Sequence, residues 1–300
     1  MVVTEVAFRF LLPDGKLAKG AYHSGEFRFQ VEQYQQSIPV NMMIMGSSVA
    51  AANVPPEHLD ARLHELGMED FTSYNAGIRG CNFDCIATGI RRHYWAEYQP
   101  PFVLAVISPI DLDIDNTGVI ARSKRFAADM ERSFITRGAR QLLANASVLY
   151  GFKEEIRQWL TSGKWEFDEA IPRTRGYIDM GSTILPSAPA APVIVPDSEI
   201  VRDLVSLIEE IAASGSQVIL LPVEGNSLAR LEISDDARGQ YWSLMKELTL
   251  LPNVNILEAD SQPIDDDAYF DTVHLKTQAA AENASRLAER LVDSGLLSGP

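Results

Sequence analysis

A chain of 300 residues with 46% apolar side chains can bury a substantial core as one large domain or a domain with an insertion, which excludes a disordered protein. Its formal charge of -15 excludes a general nucleic-acid binder, since phosphate contacts need a basic surface. No run approaches about 18 uncharged apolar residues, so no membrane segment is expected.

The opening stretch, "MVVTEVAFRFLLPDGK", carries charge too early for a secretory signal. As written the chain reads as cytoplasmic, with an extracytoplasmic place following if an upstream anchor has been removed. Residues 1–38 read as an N-terminal extension in which Phe27, Phe29 and Val31 alternate with polar residues, the pattern of an edge strand. An apolar run from Val40 to Met45 then reads as a buried strand and stops at Gly46, Ser47 and Ser48. The segment "PPEHLDARLHELG" sets Leu59, Leu63 and Leu66 on one helical face, with proline at its start and Gly67 as its stop. A second strand from Phe71 to Asn75 leads into "NAGIRG". Cys81 and Cys85 follow, four apart, and are expected to be reduced, packed thiols.

A third strand, Phe102 to Ile107, ends in "SPIDLD". Acids at alternate positions from Asp111 suggest a calcium loop, but Asn116 stands where the glycine of an EF-hand is needed and Arg122 where its last glutamate is needed. Residues 119–196 interrupt the alternation. They read as a helical insertion, or lid, closed by the proline-rich "LPSAPAAPVIVP", with eight Lys/Arg against four acids between Ala121 and Leu160. The bland reading of that surplus is a solvated helix face. The sharper one is a surface for an anionic substrate or partner.

A helix capped by Asp197 and Ser198 carries Ile200, Leu204, Leu207, Ile208 and Ile211 toward Gly215. Strands at Gln217 to Leu221 and Val254 to Leu257 come next, followed by "YFDTVHL" and a last helix, "TQAAAENASRLAERLVDSG". Continuous apolar strands alternating with amphipathic helices predict an α/β fold, a three-layer α/β/α sandwich around a flavodoxin-like parallel five-stranded sheet. The α/β domain then comprises residues 39–118 and 197–300.

In such sheets the loops beyond the carboxyl ends of the strands gather the ligand site. Those tips hold Ser48, "NAGIRG", "SPID", "PVEGNS" and the Asp271/His274 pair. A serine hydroxyl becomes a nucleophile when a base takes its proton and a third group holds that base in the right tautomer. His274 suits the base and Asp271, three residues earlier, its partner. Each residue has a plainer explanation alone: Ser48 as a turn residue, Asp271 as a helix cap, His274 as a surface side chain.

"IMGSSVA", "YNAGIRG" and "DTVHL", in this order, resemble the SGNH (GDSL-like) hydrolase superfamily, in the branch where Gly-Asp-Ser becomes Gly-Ser-Ser, as in D-alanyl-transfer and alginate O-acetylation proteins. The resemblance spans residues 38–118 and 198–296. It implies Ser48 as nucleophile, His274 as base, Asp271 as its partner, and the N–H groups of Ser48 and Gly80 as oxyanion donors, with Ser47 in the place of the family's aspartate. It also exposes a departure: "SPID" puts Ile110 where the family's Gly-x-Asn-Asp has its oxyanion asparagine. Asn75, Asn226 or a backbone group would have to substitute.

The expected activity is serine-dependent acyl transfer, by an esterase or an O-acyltransferase. Its partners would be a small-molecule or carrier-bound acyl donor and a hydroxyl acceptor such as a saccharide. No cofactor, metal or nucleic acid is expected. The rival reading is a catalytically weak or inactive binding or scaffold protein of the same fold, for which Ile110 is the main argument.

Overall fold

The computed structural model describes residues 17–18, 22–116, 119–121, 123–124, 167–168, 175, 191–258 and 264–297. The helices expected over 119–196, and with them most of the basic surplus, lie outside these residues.

Five strands form one parallel sheet: β1 (Met42–Met45), β2 (Ser73–Asn75), β3 (Phe102–Ile107), β4 (Gln217–Pro222) and β5 (Val254–Ile256). Their spatial order is β2-β1-β3-β4-β5, with Met42 opposite both Ser73 and Phe102, and Phe102 in turn opposite Gln217. This is the flavodoxin-like order, which reverses direction between β1 and β3.

Because successive strand residues face opposite sides, each strand feeds two cores. Met43, Met45, Val103, Ala105, Val218 and Leu220 pack toward α1 (Tyr22–Ser37), α4 (Phe83–Gly89), α5 (Glu199–Ala213) and α7 (Asp235–Leu248). Met42, Ile44, Leu104, Val106 and Ile219 pack toward α2 (Ser48–Asn53), α3 (Pro56–Glu65), α6 (Ser227–Glu232) and α8 (Thr277–Asp293). All four side chains of β1 and all six of β3 are buried, which is why those runs read as continuously apolar.

Two expectations are corrected here. The segment expected as an edge strand is the helix α1, in which Phe27, Val31 and Tyr34 fall on one face and enter the core against Tyr74 and Tyr94. Part of the N-terminal extension is therefore a structural layer of the α/β unit. Cys81 and Cys85 are joined in a disulfide rather than held as free thiols. One lies just before the cap of α4 and the other in its first turn, and this brings their Cα atoms to 5.4 Å, within the span a disulfide bridges.

Candidate active site

The turn that carries Ser48 begins where β1 leaves the sheet. Gly46 has φ +149°, and a Cβ there would lie 2.5 Å from the carbonyl oxygen of Val106, so the turn can pass over β3 only without a side chain. Ser47 caps α2, its hydroxyl accepting the N–H of Val49 at 3.2 Å. Ser48 is the first residue of the helix, a position whose N–H has no acceptor within the helix.

The C-terminal loop meets this turn across 226 positions. Ser48 Oγ lies 2.8 Å from His274 Nε2, and His274 Nδ1 lies 2.7 Å from Asp271 Oδ2. The other carboxylate oxygen of Asp271 accepts the backbone N–H groups of Val273 and His274, both at 2.9 Å. Burial pushes the Asp271 carboxyl up, but the bonds from His274 and these N–H groups outweigh it and hold the acid below the usual carboxylate range. With Nδ1–H donated to this carboxylate, Nε2 is left to accept the serine hydroxyl. The imidazole and carboxylate side chains are only 14% and 16% exposed, so water screens their pairing weakly.

"NAGIRG" is sewn to the Ser48 turn. Ala76 N–H donates to Ile44 O at 2.7 Å and Ile78 N–H to Gly46 O at 2.9 Å, which extends the parallel pairing past the end of β2 and leads the chain to Gly80, whose φ is +69°. Gly77 passes so close to α2 that a Cβ would lie 2.6 Å from the Ala51 nitrogen and 2.9 Å from Ser47 O. If Gly80 serves as the oxyanion donor that the resemblance implies, Gly77→Ala is expected to displace it and lower kcat by about 10²-fold, the cost of a displacement near 1 Å. Steady-state kinetics on the folded variant checks this, and unchanged kcat would show that the loop takes no part in turnover.

The amide hydrogens of Asn75 are both engaged, whereas Asn226 is held through its oxygen and by only a 3.5 Å contact from its Nδ2 to Asp271 O. Asn75 is fully buried and donates both amide hydrogens, to Ala50 O at 2.8 Å and Val54 O at 2.9 Å, while its oxygen accepts the Gly77 N–H. Asn226 caps α6 through the Ala229 N–H, and its backbone N–H holds Thr272 O at 2.9 Å. Ile110 lines a shallow, solvent-open recess together with Pro109, Glu224, Ile233 and Val273, the last next to His274 in the chain.

Asp111 was legible only as a loop acid, yet it bonds the turn that carries Ser48. Its carboxylate accepts the Ser108 N–H at 3.0 Å and is hydrogen-bonded by the Ser47 hydroxyl. Burial pushes its pKa to about 6, against the lowering effect of those two bonds and of His274. A carboxyl with a raised folded-state pKa stabilises the fold fully below its unfolded value of 3.8, and that contribution is lost as pH rises through about 6. Between about pH 4 and 7.5 the wild-type protein should lose about 2–3 kcal/mol more stability than Asp111→Asn, since each tenfold change in proton affinity is worth about 1.4 kcal/mol. Urea melts at the two pH values measure this, and parallel losses would contradict it.

Asp113 accepts the backbone N–H groups of Asp115 and Val193, an arrangement that pins the loop to the returning chain. Among the described residues no group of three or more His, Cys, Asp or Glu side chains is placed to hold a metal ion, and no helix is long and apolar enough to cross a membrane.

Sequence comparison identifies no matching family model and no matching curated protein. Solved structures of similar shape include TesA (13% identity, 85% of this chain and 99% of that one, TM-score 0.42). Another is a putative lipolytic protein of the G-D-S-L family from Desulfitobacterium hafniense DCB-2 (11%, 82% and 99%, TM-score 0.39). A third is a carbohydrate esterase family 2 enzyme with a carbohydrate-binding domain from Corynascus thermopiles (9%, 86% and 67%, TM-score 0.45). The likeness is loose and concerns overall shape, and the chemistry of the site stands on the side-chain geometry above.

Proposed function

We propose that this protein is a serine-dependent acyl-transfer enzyme acting on ester or thioester bonds, similar in its chemistry to the Gly-Ser-Ser branch of the SGNH superfamily. The observation that carries the reading is the continuous hydrogen-bonded chain Asp271–His274–Ser48, at 2.7 and 2.8 Å. In this mechanism the Ser48 hydroxyl attacks the carbonyl carbon while its proton passes to His274 Nε2. The imidazolium that forms is held by Asp271. Collapse of the tetrahedral intermediate expels the alkoxide or thiolate, which takes the proton from Nε2 and leaves the acyl group on Ser48. Water or an alcohol then attacks the acyl carbon as its proton passes to Nε2, and collapse of this second tetrahedral intermediate breaks the bond to Ser48 Oγ, which takes the proton back from Nε2 and releases a free acid or a new ester.

Stabilisation of the oxyanion falls, in this reading, to the backbone N–H groups of Ser48 and Gly80, because Asn75 gives both amide hydrogens to Ala50 and Val54 and the Ile110 side chain offers no donor. A missing oxyanion donor costs on the order of 10²–10³ in rate, so slow turnover of simple esters is expected. Ile110 also supports the second reading, a scaffold that kept the fold. A fluorophosphonate probe followed by intact-mass measurement separates the two: one adduct on the wild-type protein and none on Ser48→Ala supports the enzyme. The absence of an adduct on folded wild-type protein supports the scaffold. Turnover of p-nitrophenyl acetate with and without added polyols then divides esterase from O-acyltransferase.

A further inference from the structure

The last residue of the nucleophile helix touches the histidine loop as firmly as the first does. Asn53 closes α2, is 3% exposed, and lies five residues after Ser48. Its side-chain amide donates from Nδ2 to Val273 O at 2.8 Å and accepts at Oδ1 from Leu275 N–H, also at 2.8 Å. These are the two residues that flank His274. Asn53 O in turn accepts Nδ2 of Asn283 in α8, at 3.2 Å.

We infer that Asn53 is a positioning residue that fixes the backbone on both sides of His274 and so sets the distance from the imidazole to Ser48. The inference rests on the reading of Ser48 as nucleophile and His274 as base. Asp271 orients the ring, and the bonds from Phe270 N–H to His274 O and from Asn226 N–H to Thr272 O shape the loop internally or tie it to α6. None of these refers the loop to the nucleophile. Asn53 does, because a short helix is a rigid spacer with a rise of about 1.5 Å per residue. The Ser48–His274 pairing thus reduces locally to one six-residue helix that carries the nucleophile at one end and the clamp at the other. A primary amide suits the task because it presents one donor and one acceptor side by side, matching the carbonyl before His274 and the N–H after it.

Asn53→Ala and Asn53→Leu remove both bonds, and kcat per fluorophosphonate-titratable site should fall by about 10²-fold with KM unchanged. Asn53→Asp gives a sharper test. As a carboxylate it still accepts from Leu275 but repels Val273 O. Once protonated it presents a carbonyl and an O–H, the same pattern as the amide. The kcat ratio of Asn53→Asp to wild type should therefore rise as pH falls from about 8 to about 5, effects common to both proteins cancelling in the ratio. A purely structural role would lower the titratable fraction and leave kcat per site and this ratio flat, which would overturn the inference. Should Asn53→Ala fail to fold, the Asn53→Asp profile decides alone. If the wild-type protein takes no fluorophosphonate, it is the acyl-transfer reading that fails. The clamp is then tested by ¹⁵N NMR of the His274 ring, whose tautomer balance should change in Asn53→Asp and would contradict the clamp by staying the same.

Discussion

Ser48→Ala and His274→Ala are each expected to lower kcat toward p-nitrophenyl acetate by about 10⁶-fold, and the double variant should be no worse than either single one. The non-additivity follows from the geometry. The hydroxyl has no acceptor for its proton once the imidazole 2.8 Å away is gone, and the imidazole has nothing to deprotonate once the hydroxyl is gone. What remains is binding and backbone stabilisation of charge, common to all three variants. Kinetics on the three purified variants, each checked for folding by circular dichroism, measures the effect. Losses that multiply would mean that the two side chains act independently.

Asp271→Asn should cost about 10⁴-fold in kcat while leaving the loop folded. The asparagine oxygen can still accept the N–H groups of Val273 and His274, so the backbone keeps its shape. Its amide nitrogen, however, turns a donor toward Nδ1. The ring answers by moving its proton to Nε2, where it faces Ser48 and can no longer take the serine proton. Because Asp271 is held below the usual carboxylate range, its carboxylate stays ionised through mildly acidic pH in the wild-type protein. The contribution of Asp271 to stability is present above the unfolded pKa and is lost only as pH falls through its depressed folded value. The kinetic defect of Asp271→Asn should therefore persist across neutral and mildly alkaline pH, as a pH-rate profile would record. A loss below about tenfold would assign the orientation of His274 to other groups.

The sheet was legible because burial on both faces leaves a simple trace. Runs such as Phe102 to Ile107 have no polar position to hide, and Gly46, Gly77 and Gly80 punctuate the strand ends where the chain turns sharply or passes close to its neighbour. Ser48, Asp271 and His274 were legible together because each stands just beyond a strand or before a helix, where an α/β sheet gathers its ligand groups. The edge-strand reading of Phe27, Phe29 and Val31 misled because a short alternation also contains an i, i+4 pair. Tyr34, one further turn along, completes the helical stripe.

The contacts of Asn53 and Asp111 were illegible for a different reason. Each is a single polar residue whose partners lie on other segments, Val273 and Leu275 for Asn53 and Ser47 for Asp111. No local spacing announces such a pairing. Asn75 shows the converse. Its position after β2 suggested an oxyanion donor, yet α2 packs over it and takes both amide hydrogens for the carbonyls of Ala50 and Val54. The expectation of packed thiols at Cys81 and Cys85 followed the general burial of free cysteine and missed that the start of α4 brings the two within disulfide range.

A nucleophilic Ser48 must carry the acyl group for part of each turnover, and acid quench during p-nitrophenyl acetate hydrolysis, with peptide mapping by mass spectrometry, reads that adduct itself. One acetyl group is expected, on the peptide containing Ser48, accumulating in wild type and absent from His274→Ala quenched at the same time. Turnover with no acetyl on that peptide, or with the acetyl on another residue, would contradict covalent catalysis by Ser48.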